Sequence, residues 1–300
     1  MKYRLIGIDM DGTLLDGLGR VTDANARAIA AAQAAGALVV PCTGRGWREA
    51  VVALSPPEAP PDIDKSQTAA ALFPGVGVFN TGALVADIAT GRHVDLAVIE
   101  PHLAKELVDA LANEPEAVLV YREANLTGHD YLVTGHGELV GNTQWWFDVT
   151  GARVHEQRHV TADDLHHTLR VGMVIAGDRI AELTERINRE FRGRVLCHGF
   201  GAVKHEDERD RSIHVLEIFA AGVDKWRGIR WVAAQHNVEP HEIACIGDEI
   251  NDLAMLRGAG LGVAMGNAVA AARDAADVVT LSNNDDGVAV AIENMLEGKW

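Results

Sequence analysis

The chain has 300 residues, 48% of them hydrophobic and 23% charged, enough for one large domain or two smaller ones with ample core. A net charge of −16 excludes the basic surface that non-specific nucleic-acid binding needs, and no apolar run approaches the roughly 20 residues of a membrane span. Any anionic substrate must therefore be drawn in locally, by a metal, a lysine or helix N-termini.

In chain order, Lys2 and Arg4 precede a short strand that runs straight into Asp9, a start unlike a signal peptide. Leu5, Ile6 and Ile8 read as a buried strand. It ends in Asp9-Met10-Asp11-Gly12-Thr13, where a side-chain period of two lets Asp9 and Asp11 leave on one side. Two acids so close repel unless a cation or a shared proton intervenes, and Mg²⁺ suits carboxylate oxygens. Thr22-Asp23 then introduces an Ala-rich helix over 24–35, with Gly36 at its end. A strand over 37–40 leads to Pro41-Cys42-Thr43-Gly44-Arg45-Gly46, and a helix restarts over 46–54. The order β-α-β-α predicts a parallel sheet with right-handed crossovers.

Residues 55–68 hold Pro56, Pro57, Pro60 and Pro61 and read as a loop. A strand over 75–79 precedes Asn80-Thr81-Gly82-Ala83. The pattern then changes to short strands around a Thr90-Gly91 turn, a helix over 101–111, further strands, and a helix over 179–191. This middle third predicts an α+β insert at 83–200, flanked by core segments 1–82 and 201–300. The α/β pattern resumes with a strand over 213–218 and a helix from Lys225, capped by Asp224. Strands then end in Gly247-Asp248 and in Gly266-Asn267-Ala268. The predicted fold is α/β, a Rossmann-like parallel-sheet core with an inserted α+β domain.

Four strand ends carry the inventory that phosphoryl transfer requires. Asp9 is an ionised nucleophile and Asp11 a proton donor and acceptor. Thr43 and the amides beside Gly44 offer donors to phosphoryl oxygens. Lys225 opens a helix facing an anion. Asp248 and Asp252 add carboxylates for a metal, and Asn251 bonds a phosphoryl oxygen without adding charge. Singly, Thr43 reads as a turn residue and Lys225 as a solvated helix start; together, at the ends of one sheet, they read as a site. Uncatalysed phosphate-monoester hydrolysis is slow enough that enzymes accelerate it by up to ~10²¹, which calls for all of these groups at once.

With these motifs in place, the sequence resembles the haloacid dehalogenase superfamily. Asp9-Met10-Asp11-Gly12-Thr13, Thr43-Gly44-Arg45, Lys225 and Gly247-Asp248-Glu249-Ile250-Asn251-Asp252 look like its four motifs. Asn80-Thr81-Gly82-Ala83, Leu216-Glu217-Ile218 before Gly222-Val223-Asp224-Lys225, Val263-Ala264-Met265-Gly266-Asn267-Ala268 and Asp286-Gly287-Val288 resemble its Cof-type branch, which carries a class IIB α+β cap. The resemblance covers about 3–85 and 213–292. It implies a Mg²⁺-dependent phosphatase acting through a phospho-aspartyl intermediate on Asp9. Asp9 would also ligate the metal, Asp11 would be acid/base and a ligand through its backbone carbonyl, Asp248 a direct ligand and Asp252 its support. Thr43, Gly44, Lys225 and Asn251 would hold the phosphoryl group. Asp11 argues against a dehalogenase, which lacks this acid.

The substrate implied is a small phosphorylated metabolite, such as a sugar phosphate, with no nucleic-acid or membrane partner. Two alternatives stay open: a phosphomutase on the same core, and a receiver-like module phosphorylated on Asp9 without turnover. Widely spaced Cys42, Cys197 and Cys245 suggest a reducing cytoplasm and no disulfides. Trp226 and Trp47 are expected to narrow the pocket mouth. Trp145-Trp146-Phe147 reads as insert core or a stacking platform, His155 and His159 lack a third zinc ligand, and the charged run 204–211 reads as a solvated hinge.

Overall fold

The computed structural model describes residues 2–55, 64–140, 143–201 and 213–300. The Pro56–Pro61 part of the expected loop and the charged run 204–211 lie outside the described residues. The chain divides into two compact units, Met1–Asp95 with Asp224–Trp300, and Leu96–Val223.

The first unit opens with strands β1 (Leu5–Asp9), β2 (Leu38–Cys42), β3 (Val76–Phe79), β4 (Leu84–Asp87) and β5 (His93–Leu96). The second contains β6 (Val118–Arg122), β7 (Tyr131–Thr134), β8 (Val154–Glu156), β9 (Thr168–Ala176), β10 (Val195–Gly201) and β11 (Ile213–Ala220). The first unit then resumes with β12 (Ile243–Gly247), β13 (Leu261–Ala264) and β14 (Val278–Val279).

The core sheet has the order β14-β13-β12-β1-β2-β3-β4-β5. From β14 to β3 the pairings are parallel, and β4 folds back antiparallel on β3. All five residues of β1 and of β12 are buried, as expected of strands covered on both faces. These two neighbours are separated by most of the chain, so the strand order reverses between them. That is where a doubly wound sheet leaves a crevice beyond the carboxyl ends of its strands. The helix Asp23–Ala34 starts where expected, capped by the Thr22 hydroxyl, which accepts from the Asn25 amide at 3.2 Å. Asp224 likewise caps the helix Lys225–Gln235, accepting from the Arg227 amide at 2.7 Å.

The second unit carries a sheet of order β10-β11-β9-β6-β7-β8. Helices Pro101–Leu111 and Ile180–Glu190 press Leu107, Leu111, Leu183 and Ile187 onto Val120, Val171, Met173 and Leu216. It is the expected α+β insert, with other boundaries. Residues 83–95 belong to the core, because the hairpin β4–β5 extends the core sheet and Asp95 pairs with Arg227 at 2.6 Å. Residues 213–223 belong to the insert, because β11 pairs antiparallel with both β9 and β10. Its buried run resembles a core strand, but burial does not specify a partner. A further correction is the helix Lys65–Leu72, capped by Asp64, which takes over the last four residues of the expected loop.

Within the insert, Phe147 is buried against Tyr131 with ring centroids 4.9 Å apart, whereas Trp145 is 45% exposed. His155 and His159 lie beside His129 and His136 respectively, on different partners. Among the described residues, neither histidine joins a group of three metal-capable side chains.

Candidate active site

The site grows from the end of β1. Beyond Asp9 the chain makes a wide turn through Gly12, at φ +73°, and the Leu15 amide closes it on the Met10 carbonyl at 2.9 Å. Gly12 is required there: a Cβ would fall 2.3 Å from Asp248 Oδ2. Asp9 is 4% exposed, Lys225 1% and Asp252 fully buried. The Lys225 ammonium donates to Asp9 Oδ1 at 2.5 Å, Asp252 Oδ1 at 2.6 Å and Asn251 Oδ1 at 3.2 Å. Asp252 Oδ2 accepts from the amides of Asp248 and Glu249, each at 2.9 Å. Both Asp252 oxygens are thus engaged, which suits a supporting role.

Asp9, Asp248 and Asp252 each bring an oxygen within 4.8 Å of the other two. Burial, then repulsion from Asp252, lifts the Asp9 carboxyl well above the usual range, with Lys225 opposing. The same two causes push Asp248 up to about 6. Burial alone would lower the Lys225 pKa, but Asp252 and Asp9 reverse that and hold it raised. One cation among three acids leaves negative charge in a poorly hydrated place. Hard oxygen donors gathered this closely fit a divalent ion such as Mg²⁺.

Asp11 points elsewhere. Arg45 grips it in a two-pronged ion pair, Nε to Oδ2 at 2.8 Å and Nη2 to Oδ1 at 2.6 Å. The Asp11 side chain is half-buried; desolvation pushes its carboxyl up, but the Arg45 charge and hydrogen bonds outweigh it, and the net shift is downward. Thr43, fully buried, follows β2; its hydroxyl accepts from the Arg45 amide at 3.1 Å, and Gly44 lies between them in the loop.

All the expected site residues therefore lie in the core unit, at strand ends, at a helix start or in the loops beside them. Lys225, Asp9, Asn251 and Asp252 meet directly, Asp248 joins them, and the Asp11 carboxylate stands apart on Arg45. Sequence reading gave no role to three further side chains. Arg45 is one. The others secure Asp248: Thr13 Oγ1 donates to its Oδ1 at 2.8 Å, and Asn267 Nδ2 donates to the Gly12 carbonyl at 2.8 Å and approaches Asp248 Oδ2 at 3.5 Å. Each closes a motif already recognised, and a polar residue at a strand end beside an acid was the available signal. The expected narrowing by tryptophans is corrected. Trp226 packs over Gly258, where a Cβ would fall 2.3 Å from its ring, and Trp47 covers Gly91 and donates to the Ile88 carbonyl at 3.0 Å.

Comparison with known proteins agrees with this geometry. The model of the haloacid dehalogenase-like hydrolases matches residues 6–292. The chain belongs to that family of hydrolases, in its Cof-type branch. It is 27% identical to the 5-amino-6-(5-phospho-D-ribitylamino)uracil phosphatase YwtE of Bacillus subtilis, over 99% of each chain. A haloacid dehalogenase-like hydrolase from Bacteroides thetaiotaomicron shares the fold with a TM-score of 0.72 at 22% identity, over 98% of this chain and 99% of the other. A subclass IIB sugar phosphatase does so with 0.72 at 19%, with the same coverage.

Proposed function

We propose that the chain is a Mg²⁺-dependent phosphatase that hydrolyses small phosphate monoesters through a phospho-aspartyl intermediate on Asp9. The observation that carries this reading is the convergence of Asp9, Asp248 and Asp252 oxygens within 4.8 Å around one buried lysine. Asp9, Asp248 and the main-chain carbonyl of Asp11 would hold the ion, with Asp252 supporting. The ion would neutralise phosphoryl oxygens and polarise phosphorus. Asp9 attacks phosphorus, the P–O ester bond breaks, and Asp11 protonates the departing alkoxide. Asp11 then takes a proton from the water that attacks the phosphoryl group, releasing orthophosphate and regenerating Asp9. Lys225, Asn251, Thr43 and the Gly44 amide orient the phosphoryl oxygens.

The Arg45 pair gives this scheme a condition. The Arg45 ion pair favours the ionised form of Asp11, so the pair must open before Asp11 can deliver a proton. A small phosphorylated metabolite as substrate is supported by the activities of the B. subtilis relative and the sugar phosphatase, and by the strongly acidic chain, which disfavours nucleic acid. No helix among the described residues is long and apolar enough to cross a membrane, and three buried free thiols fit a reducing cytoplasm.

The test is Mg²⁺-supported release of phosphate from an aryl phosphate, repeated with Asp9→Asn and Asp11→Asn. Multiple turnovers are expected, with losses of about 10⁴-fold or more and about 10²–10⁴-fold respectively. Labelling of one equivalent without turnover would point to a receiver-like module, and transfer to an added sugar phosphate in place of water to a mutase.

A further inference from the structure

After β3 the backbone takes a course that ordinary connections avoid. Asn80, Thr81 and Gly82 adopt φ values of +46°, +52° and +93° in succession, and all three are buried. The left-handed region disfavours side chains with a Cβ, and β-branched ones most. Both polar atoms of the Asn80 side chain and the Thr81 hydroxyl are buried with no hydrogen-bond partner among the described residues. Native proteins normally satisfy such groups. Strain and unmet polarity persist together only where the surroundings impose them, and they gather at functional sites.

Here the surroundings are the phosphoryl-binding groups. The Asn80 amide donates to the Arg45 carbonyl at 2.9 Å, and the Thr81 amide to the Thr43 carbonyl at 3.0 Å. Gly82 abuts the start of the lysine-bearing helix: a Cβ on it would lie 1.9 Å from the Asp224 carbonyl oxygen and 3.3 Å from the Lys225 nitrogen. Arg227 closes the contact, donating to the Gly82 carbonyl at 2.9 Å. The Thr43 loop and the Lys225 helix rest on the same three residues.

We propose that Asn80, Thr81 and Gly82 are positioning residues that set the spacing between Thr43 and Lys225 for a phosphoryl group; the inference rests on the phosphatase reading above. None of the three has to touch substrate. Relaxing the turn to negative φ would withdraw two amides from the Thr43 loop and lift Gly82 from the helix start.

The experiment uses Thr81→Gly and Gly82→Ala in the full chain with Mg²⁺. Its readouts are the melting midpoint, aryl-phosphate kinetics and competitive inhibition by inorganic phosphate. Thr81→Gly removes strain and a buried hydroxyl, so the midpoint is expected to rise by about 2–4 °C. Phosphate inhibition is expected to weaken about ten-fold, because a glycine without the buried threonine side chain samples many backbone conformations and lets the amide that holds the Thr43 carbonyl drift. A merely structural turn would not move those two quantities in opposite directions. Gly82→Ala drives the helix start away, and kcat/KM should fall about 10²-fold for a displacement on the order of 1 Å. Wild-type phosphate inhibition in Thr81→Gly, or an activity loss in Gly82→Ala that only follows the unfolded fraction, overturns the proposal. A wild-type protein that neither turns over nor responds to phosphate overturns the phosphatase reading itself, and is recognised before any variant is made.

Discussion

The core unit and the insert use the same kinds of charged residue in different ways. In the insert, Arg179 pairs with Glu114 and Glu116, Arg186 with Glu114 and Arg194 with Glu106, the arginine side chains being 32–48% exposed. In the core, Lys225, Asp9 and Asp252 are at most 5% exposed. Burial alone does not separate them, since the insert also encloses the Arg170–Glu217 pair, 11% and 3% exposed. The difference is balance. Arg170 pairs with Glu217, whereas Lys225 stands among Asp9, Asp248 and Asp252, and the carboxyls of Asp9 and Asp248 are both raised. Surplus charge of one sign in a dry place marks chemistry; matched or wet charge marks architecture.

The sharpest way to break this contrast is to remove the lysine that Asp9 and Asp252 share. Lys225→Met should lower kcat about 10²–10³-fold. It should also destabilise the metal-free protein by about 3 kcal/mol in urea unfolding, because the carboxylates lose their partner. A stable, active variant would mean the acids are not held by that lysine.

A smaller effect follows from protons. Asp248 titrates near 6 in the folded chain and near 3.8 unfolded. Between about pH 4 and 6 the native state therefore retains a proton the unfolded state has lost, and the site's contribution falls as pH rises. In chelator the melting midpoint should drop below that in saturating Mg²⁺, and the gap should widen across this span, corresponding to at most about 3 kcal/mol of stability. Parallel curves would show that no cation replaces the proton.

The smallest effect belongs to the insert. Arg194→Ala breaks a solvent-exposed pair and should leave kcat unchanged and the midpoint within about 1 °C. A large loss there would erase the distinction.

Much of this was legible in the chain. Asp9, Thr43, Asp248 and Lys225 announced themselves because each follows a strand or opens a helix whose signal is local. Long-range pairing left no such signal. β11 reads as a core strand from its apolar run, yet its hydrogen bonds go to β9 and β10. The helix Lys65–Leu72 was hidden by the prolines before it. Arg45 as the partner of Asp11 joins loops 34 residues apart, and the left-handed course of 80–82 depends on what packs against it.

Lys225 and Asp9 are 216 positions apart in the chain. A ribosome adding about 5–20 residues per second exposes Asp9 roughly 10–40 s before the lysine exists. Until then Asp9 has neither the Lys225 ammonium nor the neighbouring β12. Assembly of the site is thereby tied to synthesis of the Lys225 helix and β12, and a polypeptide interrupted before them lacks the ammonium that Asp9 meets in the folded protein.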